Sequence, residues 1–484
     1  MKNSTLILGV LLASTSLQAQ NVPTFTVPSF APSGATLPTS SFVNSLYGSV
    51  ASAPATDTPI RLSLNDAVER ALQHNLSLLT TQQNQRVEAG QTKSAFNALM
   101  PDLSVEAKTA TQSVDLVAMG FKASTFAPLN LPPGSIPTIV KVDNTSVQIN
   151  LSQQLFNMPA IELYRAAKSN IHVAELNTLN VRGNVVLLVS TTYLQTLAAA
   201  AQLENEKALL AVDARSLEQA KDSHAAGVAT NLDELRARVQ YQTQQQALIN
   251  AENTFTKDKI ALNRMIGLAA DQPVELTDPS PNNAFTIQPL DQAKQIAYGR
   301  RKDYLALLAQ LQAFELDRKA VKYERLPYLS LGGYYGVIGE TRGLYHGDFV
   351  AEGTLHIPVF HEAKFQGDRE VVAAQLSRLR AQIADLQVTI ESQIRSSVLD
   401  VQATEQLVKV AQSNVDLSRE ELQDSTDRFT AGVDDNLPVV QAQAALAGAQ
   451  TQLVNALYQY NQAKLNLARN TGVVETQYQA YLGQ

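Results

Sequence analysis

The sequence predicts a mainly helical fold with a small β part, in which the same set of helices and strands is built twice. Two observations predict it. Segments of the first half recur in the second half in the same order and at nearly constant spacing. The stretches 160–224 and 362–429 contain no proline, as long helices require, whereas shorter stretches alternate apolar and polar residues as half-buried strands do.

The first 19 residues have the parts of a secretory signal peptide. Lys2 is positively charged, residues 6–13 are apolar, and small or polar residues precede the expected cleavage after Ala19. No later stretch approaches the 18 or more apolar residues that are typical of a membrane-spanning helix. The mature chain is therefore expected in the periplasm, outside the cell, or in the outer membrane as β-strands.

Composition excludes several classes of protein. The chain has no cysteine, which excludes disulfides, thiolate metal sites and a lipid anchor on an N-terminal cysteine. Its net charge of -7 gives no basic surface for nucleic acid. Residues 20–57 are rich in Pro, Ser, Thr and Ala, with Asp57 as the only charge. We expect this segment to be an extended or disordered N-terminal extension.

The duplication is read from three blocks of matching residues. Residues 64–105 match 290–331 at an offset of 226, residues 151–156 match 355–360 at an offset of 204, and residues 226–267 match 431–472 at an offset of 205. The first repeat carries 22 additional residues between Val105 and Leu151, with Pro and Gly among them. An insertion that leaves both flanks in register is expected to be a surface loop.

Each repeat is predicted to begin with a helix followed by a pair of strands. Apolar residues recur at three- and four-residue steps over 64–99, Ser63 or Asn65 is expected to cap the start, and Pro101 ends the helix. Strands with period-two alternation are predicted at about 102–110, 146–156, 328–337 and 349–360. Such strands fit a tilted membrane strand, and they fit a half-buried soluble hairpin equally well.

Long helices follow the strands. About 65 residues of helix span roughly 100 Å, and the shorter helices 64–99 and 231–265, placed end to end, match that length. Each repeat can therefore form a rod two helices wide, with strands at one end and a glycine-containing turn at the other. The predicted organisation is a signal peptide at 1–19, the extension at 20–57, repeat one at 58–268, a linker at 269–289, repeat two at 290–472 and a tail at 473–484.

Four strands cannot close a barrel by themselves. An open sheet edge in lipid leaves backbone groups unpaired, at several kcal/mol each. Three chains would supply twelve strands and would also close the helical rods into a hollow coiled-coil cylinder. The fold class predicted is therefore a duplicated long-helix barrel with four transmembrane β-strands per chain and a twelve-stranded barrel in a trimer.

Four short motifs occur in this order. They are Leu-x-x-Ala-x-x-x-Ala at 64–71, Leu-Ser-x-x-Leu-Phe at 151–156, Leu-Pro-x-Leu-Ser at 326–330 and Arg-Phe-x-x-Gly-Val at 428–433. With their duplicated setting, the chain resembles the TolC-type outer-membrane efflux proteins from about residue 60 to 472. The resemblance implies a homotrimeric channel in the outer membrane with a helical tunnel in the periplasm. It also implies a periplasmic adaptor (membrane-fusion) protein and an inner-membrane pump as partners, and no cofactor.

The resemblance assigns adaptor docking to the turns at the ends of the long helices. The matching residues are Gly227, Val228, Arg428, Phe429, Gly432 and Val433. Repeat one departs from the motif, because Ser223 and His224 stand where repeat two has Arg and Phe. The alternative is that the glycines only terminate helices.

Members of this family often carry acidic residues just after the second turn, where they narrow the periplasmic entrance. The matching positions here hold Pro438 and Gln441. Asp434 and Asp435 lie in the turn itself, and across three chains they would form a displaced acidic ring that favours cations. The alternative is a solvated turn in which Asp435 or Asn436 caps the next helix.

No catalytic or metal site is expected. The six histidines are scattered, His356 and His361 are expected on opposite faces of a strand, and the common zinc, phosphate-loop and nucleophile motifs do not occur. The chain is therefore not expected to be an enzyme, and transport energy would come from partners. A rival interpretation is a periplasmic coiled-coil adaptor or structural rod that never enters the membrane.

Overall fold

A computed structural model describes residues 46, 48–50, 54–118, 139–227, 230–431, 433–434 and 437–483. All of them belong to one compact unit, residues 45–484. The expected signal peptide and most of the N-terminal extension lie outside the described residues. So do Val228, Gly432, Asp435 and most of the insertion in repeat one.

The chain is mainly helical with a small β part, which confirms the predicted fold class at that level. The first half contains β1 (Ile60–Leu62), α1 (Leu64–His74), α2 (Leu76–Asn97), β2 (Asp102–Asp115), β3 (Ile139–Phe156), α3 (Met158–Ala225), α4 (Asn231–Met265) and β4 (Val274–Leu276). The second half contains α5 (Leu290–Arg300), α6 (Lys302–Tyr323), β5 (Tyr328–Glu340), β6 (Tyr345–His356), α7 (Glu362–Thr430), α8 (Leu437–Asn470) and α9 (Val474–Leu482).

The helix predicted over 64–99 is two helices, which corrects that prediction. Ser63 and Asp66 form a capping box at the start of α1. Asn75 then interrupts the helix with φ -66° and ψ 127°, and its side chain caps α2 by accepting hydrogen bonds from Ser77 N and Leu78 N. A residue that caps a new helix cannot continue the old one, because capping requires non-helical backbone angles.

The two long helices organise the rest of the chain. Helices α1, α2 and α4 pack on α3, while α5, α6 and α8 pack on α7. Helix α3 also contacts α6 and α8, and so joins the two repeats. The largest buried apolar cluster lies at the middle of α3, where Val185, Val189 and Tyr193 contact α1, the end of α4 and the C-terminal helix α9.

Helix α3 corrects the expectation that no later stretch would resemble a membrane-spanning helix. It contains an 18-residue window of mean hydropathy 1.3, which is long and apolar enough by length and composition to cross a membrane. Within the described residues it is the one such helix, and 39% of the window is buried inside the chain. Packing against helices on several sides explains this apolar composition.

The four longer strands form one antiparallel sheet in the order β2-β3-β5-β6. Asp102 lies opposite Ser152 in the first hairpin, and Tyr328 lies opposite His356 in the second. The middle pair joins the repeats: Leu151 lies opposite Gly333, and a bulge near Gln154 brings Phe156 opposite Leu329. Within the described residues, strands β2 and β6 are the two free edges.

Several predicted bounds differ from the structure. Strands β2 and β3 extend to Asp115 and from Ile139, and β5 extends to Glu340. Strand β6 begins at Tyr345 and ends at His356, so His361 lies at the start of α7 rather than on a strand face. The linker contains β4, which pairs in parallel with β1. The predicted tail contains helix α9.

Candidate functional site

The turn between α3 and α4 is built from a left-handed glycine and a capping box. Gly227 has φ +73°, and its N–H donates to His224 O at 2.9 Å. Thr230 and Asp233 then cap α4 reciprocally: Thr230 N donates to Asp233 Oδ2 at 3.1 Å, and Asp233 N donates to Thr230 Oγ1 at 3.3 Å. Residue 227 is exposed, as a docking surface requires.

The turn between α7 and α8 carries an ion pair that its counterpart in repeat one does not have. Arg428 Nε donates to Asp434 Oδ2 at 2.7 Å, and Val433 N donates to Arg428 O at 3.0 Å. The Val433 side chain is 67% exposed, and Phe429 is half-buried. In repeat one, Ser223 and Ala229 stand where Arg428 and Asp434 stand here.

An open groove of about 710 Å³ lies beside this turn. Its lining includes four carboxylates and one guanidinium, those of Glu421, Asp424, Asp427, Asp434 and Arg428, together with Pro438. Per chain, four negative charges face one positive charge. The structure thus places Asp434 in an acidic surface, but with its carboxylate paired to Arg428.

Three of these carboxylates were missed in the sequence. Glu421, Asp424 and Asp427 follow one another at three-residue steps near the end of α7, a spacing that places side chains on one face of a helix. The signal was therefore present, but it precedes the turn, whereas the resemblance directs attention to the residues after it. Pro438 lines the same groove.

Buried polar side chains form hydrogen bonds between α3 and its neighbours α4 and α8. The Glu206 carboxylate accepts a hydrogen bond from Gln244 Nε2, and Gln202 Nε2 donates to Thr451 Oγ1 at 2.9 Å, linking α3 to α8. Asp213 is 2% exposed and accepts from Gln240 Nε2 at 3.3 Å. Burial raises the pKa of the Asp213 carboxyl to about 6, and the Gln240 hydrogen bond opposes this shift.

At the other end of the long helices, the sheet has one apolar and one polar face. The apolar face includes Leu103, Val105, Ile149, Tyr335 and Phe349, all of which are exposed in the single chain. The residues between them, such as Glu106, Gln148 and Glu352, belong to the other face because side chains alternate along a strand. An exposed apolar sheet face of this kind marks a surface that something else covers.

Among the described residues, no three His, Cys, Asp or Glu side chains come together as a metal site. The structure holds His356 stacked on Tyr328 with ring centroids 4.7 Å apart, and His361 near Phe365. These histidines have aromatic partners rather than a shared ligand position.

Comparisons with known proteins agree on one family. A family model described as outer membrane efflux protein matches residues 67–268 and 294–473. The alkaline protease secretion protein AprF of Pseudomonas aeruginosa is 22% identical over 341 residues, which cover 68% of this chain and 69% of that protein. The outer membrane protein TolC of Vibrio cholerae is 23% identical over 353 residues, which cover 69% of this chain and 78% of that protein.

The fold is also found in solved structures. A crystal structure of a membrane protein from Pseudomonas aeruginosa superposes with a TM-score of 0.73 at 21% identity, covering 84% of this chain and 93% of that one. The duplicated arrangement of long helices and strand pairs is therefore a known fold.

Proposed function

The chain belongs to the outer membrane efflux protein family, and from that premise we propose that it is one subunit of a homotrimeric exit duct. The family consists of channels rather than enzymes, and its members reside in the outer membrane with a tunnel in the periplasm. In this proposal the duct serves a tripartite efflux system or a type I secretion system. It is passive, and a partner inner-membrane pump supplies the energy.

The observation that carries the proposal is the four-stranded sheet with two free edges and an exposed apolar face. In water, that face would favour aggregation. In lipid, the free edges would leave backbone groups without partners. Both difficulties disappear if three copies join their sheets edge to edge into one twelve-stranded barrel with the apolar face outward.

Exposed apolar residues on the helices support lateral contact between copies. On α7, from Val388 onward, they follow one another at steps of 11, 8, 3 and 7 residues, which keep them on one face of a helix. They are Val388, Leu399, Leu407, Val410 and Leu417. The buried apolar residues of α7 lie on the opposite face; they include Ile390, Val401 and Val408. Helix α7 is thus apolar on two sides, and its own chain covers one of them.

The two turns would dock the periplasmic adaptor. Gly227 and Val433 are exposed, and Phe429 and Arg428 flank the second turn with an aromatic ring and a guanidinium, side chains that are enriched at interfaces. Val228 and Gly432 complete the proposed docking surface from outside the described residues. The alternative role of the glycines as helix terminators is compatible with docking, since the same backbone can do both.

The acidic groove beside the second turn would line the periplasmic entrance. Three copies would place three sets of carboxylates around one axis, and like charges arranged in this way attract cations. Asp434 contributes less than we expected from the sequence, because Arg428 pairs with it. Asp435 would add a charge from outside the described residues.

Fractionation and conductance test the proposal together. We expect the protein in the outer-membrane fraction as a heat-modifiable trimer that resists SDS, and we expect channel conductance when purified protein is added to a planar bilayer. Recovery as a soluble periplasmic protein would instead favour the adaptor or rod interpretation. A membrane-bound monomer without conductance would contradict the shared barrel.

A further inference from the structure

The edges of the sheet carry strongly exposed apolar side chains. On the β6 side, Phe360 is 91% exposed, and Ile357 and Val359 are also exposed. On the β2 side, Leu103 and Val105 are 67% and 71% exposed. The segment after His356 is not a strand in the single chain, although its alternation continues.

The duplication extends to the pairing of the strands. In the first hairpin Ala107 lies opposite Val147, and in the second Gly333 lies opposite Ala351. These pairs are related by the sequence offsets, which are 226 for the first strand of each repeat and 204 for the second. Residues that match in sequence therefore also have matching partners in the two hairpins. The offsets relate the pairing of the strands as well as their sequence.

The contact between repeats can therefore be transferred to the contact between copies. Inside the chain, the second strand of repeat one pairs with the first strand of repeat two, with Asn150 opposite Tyr334. The second strand of repeat two, β6, has no such partner. Adding 204 to residue 150 gives Thr354 on β6, and subtracting 226 from residue 334 gives Lys108 on β2. The pair Asn150–Tyr334 inside the chain therefore corresponds to Thr354 opposite Lys108 of another copy.

We propose that β6 of each chain pairs with β2 of a neighbouring copy in this one register. The inference rests on the proposed trimer and specifies which residues pair where two copies meet. The pair Ser152–Gly332 inside the chain corresponds to His356 opposite Glu106 of the neighbouring copy. Phe156 opposite Leu329, the pair after the bulge, becomes Phe360 opposite Leu103. The pairing of β6 would thus extend through residues 357–360, with Pro358, which has no N–H, directly before the bulge.

The register matches apolar with apolar residues. It sets Leu355 opposite Ala107, Ile357 opposite Val105 and Phe360 opposite Leu103 of the neighbouring copy. Leu355, Ile357 and their partners lie on the outer face, since odd-numbered residues of β2 and β6 share that face. Phe360 is even-numbered and reaches this face through the bulge, as Phe156 does inside the chain. A slip by one residue would put these apolar side chains against polar ones.

The polar face excludes a slip by two residues in one direction. The proposed register puts His356 beside Glu106 and leaves Lys108 diagonal to Glu352 of the other copy, so that opposite charges are close. A slip of two residues toward the end of β2 would put His356 opposite Lys108, and both are basic. Cross-strand pairs of opposite charge stabilise a sheet, and like charges destabilise it.

The absence of cysteine permits a direct test by cross-linking. The matched variant is Thr354→Cys with Lys108→Cys, whose Cβ atoms would lie about 4.5–5.5 Å apart. The shifted variants combine Thr354→Cys with Glu106→Cys or with Ala110→Cys, which place the pair about 7–8 Å apart. Within one chain β2 and β6 are separated by two strands, or about 14 Å, so no disulfide can form inside a copy.

We expect oxidation of the matched variant in membranes to give bands at twice and three times the monomer mass after heating in SDS. Both shifted variants and all single-cysteine variants should run as monomers after the same heating. Native trimers of the single-cysteine variants show that the substitutions are tolerated. Native trimers that cross-link only in a shifted variant, or in none, would overturn the register and leave the proposed function standing. Cross-linking in none together with a native monomer would overturn both.

Discussion

Asn75 and Arg301 occupy equivalent positions in the two repeats, and each lies buried at a break between two consecutive helices. The two residues fill this position differently. Asn75 Nδ2 donates to Leu46 O at 2.7 Å, tying the N-terminal segment to the break. Arg301 forms a two-pronged pair with Asp303, at 2.6 and 3.1 Å, and its Nη1 donates to Gln393 Oε1 at 2.6 Å.

Replacing Asn75 should destabilise the first break through two separable effects. Asn75→Ala removes the cap of α2 and leaves Leu46 O without its side-chain donor, which we expect to lower the free energy of unfolding by about 2 kcal/mol. Asn75→Ser keeps a capping oxygen and should recover about half of this loss. Hydrogen exchange at the amides of Ser77 and Leu78, measured together with denaturant unfolding, separates the loss of the cap from the loss of the hydrogen bond to Leu46 O. Equal exchange in both variants would show that the lost cap does not cause the destabilisation.

A left-handed glycine lies against the break at Arg301, and another lies in the exposed turn between α3 and α4. Together they predict a graded series of substitutions. Gly472 has φ +78°, and an added Cβ would lie 2.7 Å from Arg301 N. Gly227 has φ +73° with open space around it. We expect Gly472→Ala to cost about 3 kcal/mol, from strain and overlap together, and Gly227→Ala to cost about 1–2 kcal/mol from strain alone.

Gly90 is the control for this series. It lies within α2, and a Cβ there would meet nothing within 4 Å, so Gly90→Ala should stabilise the chain by up to about 1 kcal/mol. Thermal or denaturant unfolding of the three variants under one condition gives the order. If Gly472→Ala were no worse than Gly227→Ala, the close approach to Arg301 would not constrain the junction.

Much of the fold follows from the sequence because its signals are local and repeated. The helix predicted over 231–265 has those bounds in the structure, since a capping box and an uninterrupted polar–apolar pattern define it. The break at Asn75 was not predicted, because the apolar periodicity runs through it. Asn75 ends one helix and caps the next, and its Nδ2 also donates to Leu46 O, 29 residues earlier. Neither contact alters the apolar periodicity.

The candidate site shows the same limit. The glycine turns were found because left-handed backbone strongly favours glycine. The Arg428–Asp434 pair was not foreseen, because the two residues are six apart and only the path of the turn brings them together. Strand β6 ends at His356, four residues before the predicted end, because its pairing with β5 ends at Tyr328. Pro358, which stands where repeat one has Gln154, also lacks the N–H of a ladder residue.

Asp213 should make stability depend on pH between about 4 and 6. Its folded pKa of about 6 lies above its ordinary value of 3.8 because burial disfavours the charged form. The folded state therefore binds the proton more tightly, so the stability contribution is fully present below pH 4 and is lost as the pH rises through 6. We expect Asp213→Asn to remove this dependence and to stabilise the protein at pH 7 by about 2–3 kcal/mol.

Asp416→Asn on α7 is the matched control for Asp213. The Asp416 side chain is 60% exposed and pairs loosely with Arg419 at 3.9 Å, so its neutralisation should change stability by less than about 1 kcal/mol. The measurement is the free energy of unfolding of each protein from pH 4 to 7. A parallel pH profile for Asp213→Asn and the unaltered chain would contradict the assignment.

The proposed adaptor surface can be tested at Val433 without disturbing the fold. Because this side chain is exposed, Val433→Ser should leave the trimer and its stability unchanged, yet it should weaken adaptor binding by about 1–2 kcal/mol if the residue is buried on docking. Leu344→Ser is the control, since Leu344 is also exposed but lies in the β5–β6 turn at the other end of the duct. Equal adaptor affinity for both variants in a pull-down or titration would remove Val433 from the docking surface.

The Arg428–Asp434 pair sets the charge of the proposed entrance. Among the described residues of the groove, Arg428→Gln removes the one cation and leaves four carboxylates per chain. We therefore expect the preference for cations to rise about twofold at low salt and less at high salt. Asp434→Asn together with Asp435→Asn should lower it. Arg428 is 62% exposed, so stability should change by less than about 1 kcal/mol. Reversal potentials across a salt gradient measure the effect, with Arg380→Gln, far from the turn on the same helix, as the control. A reversal potential that moves equally in Arg380→Gln and Arg428→Gln would mean that total charge, and not this groove, governs selectivity.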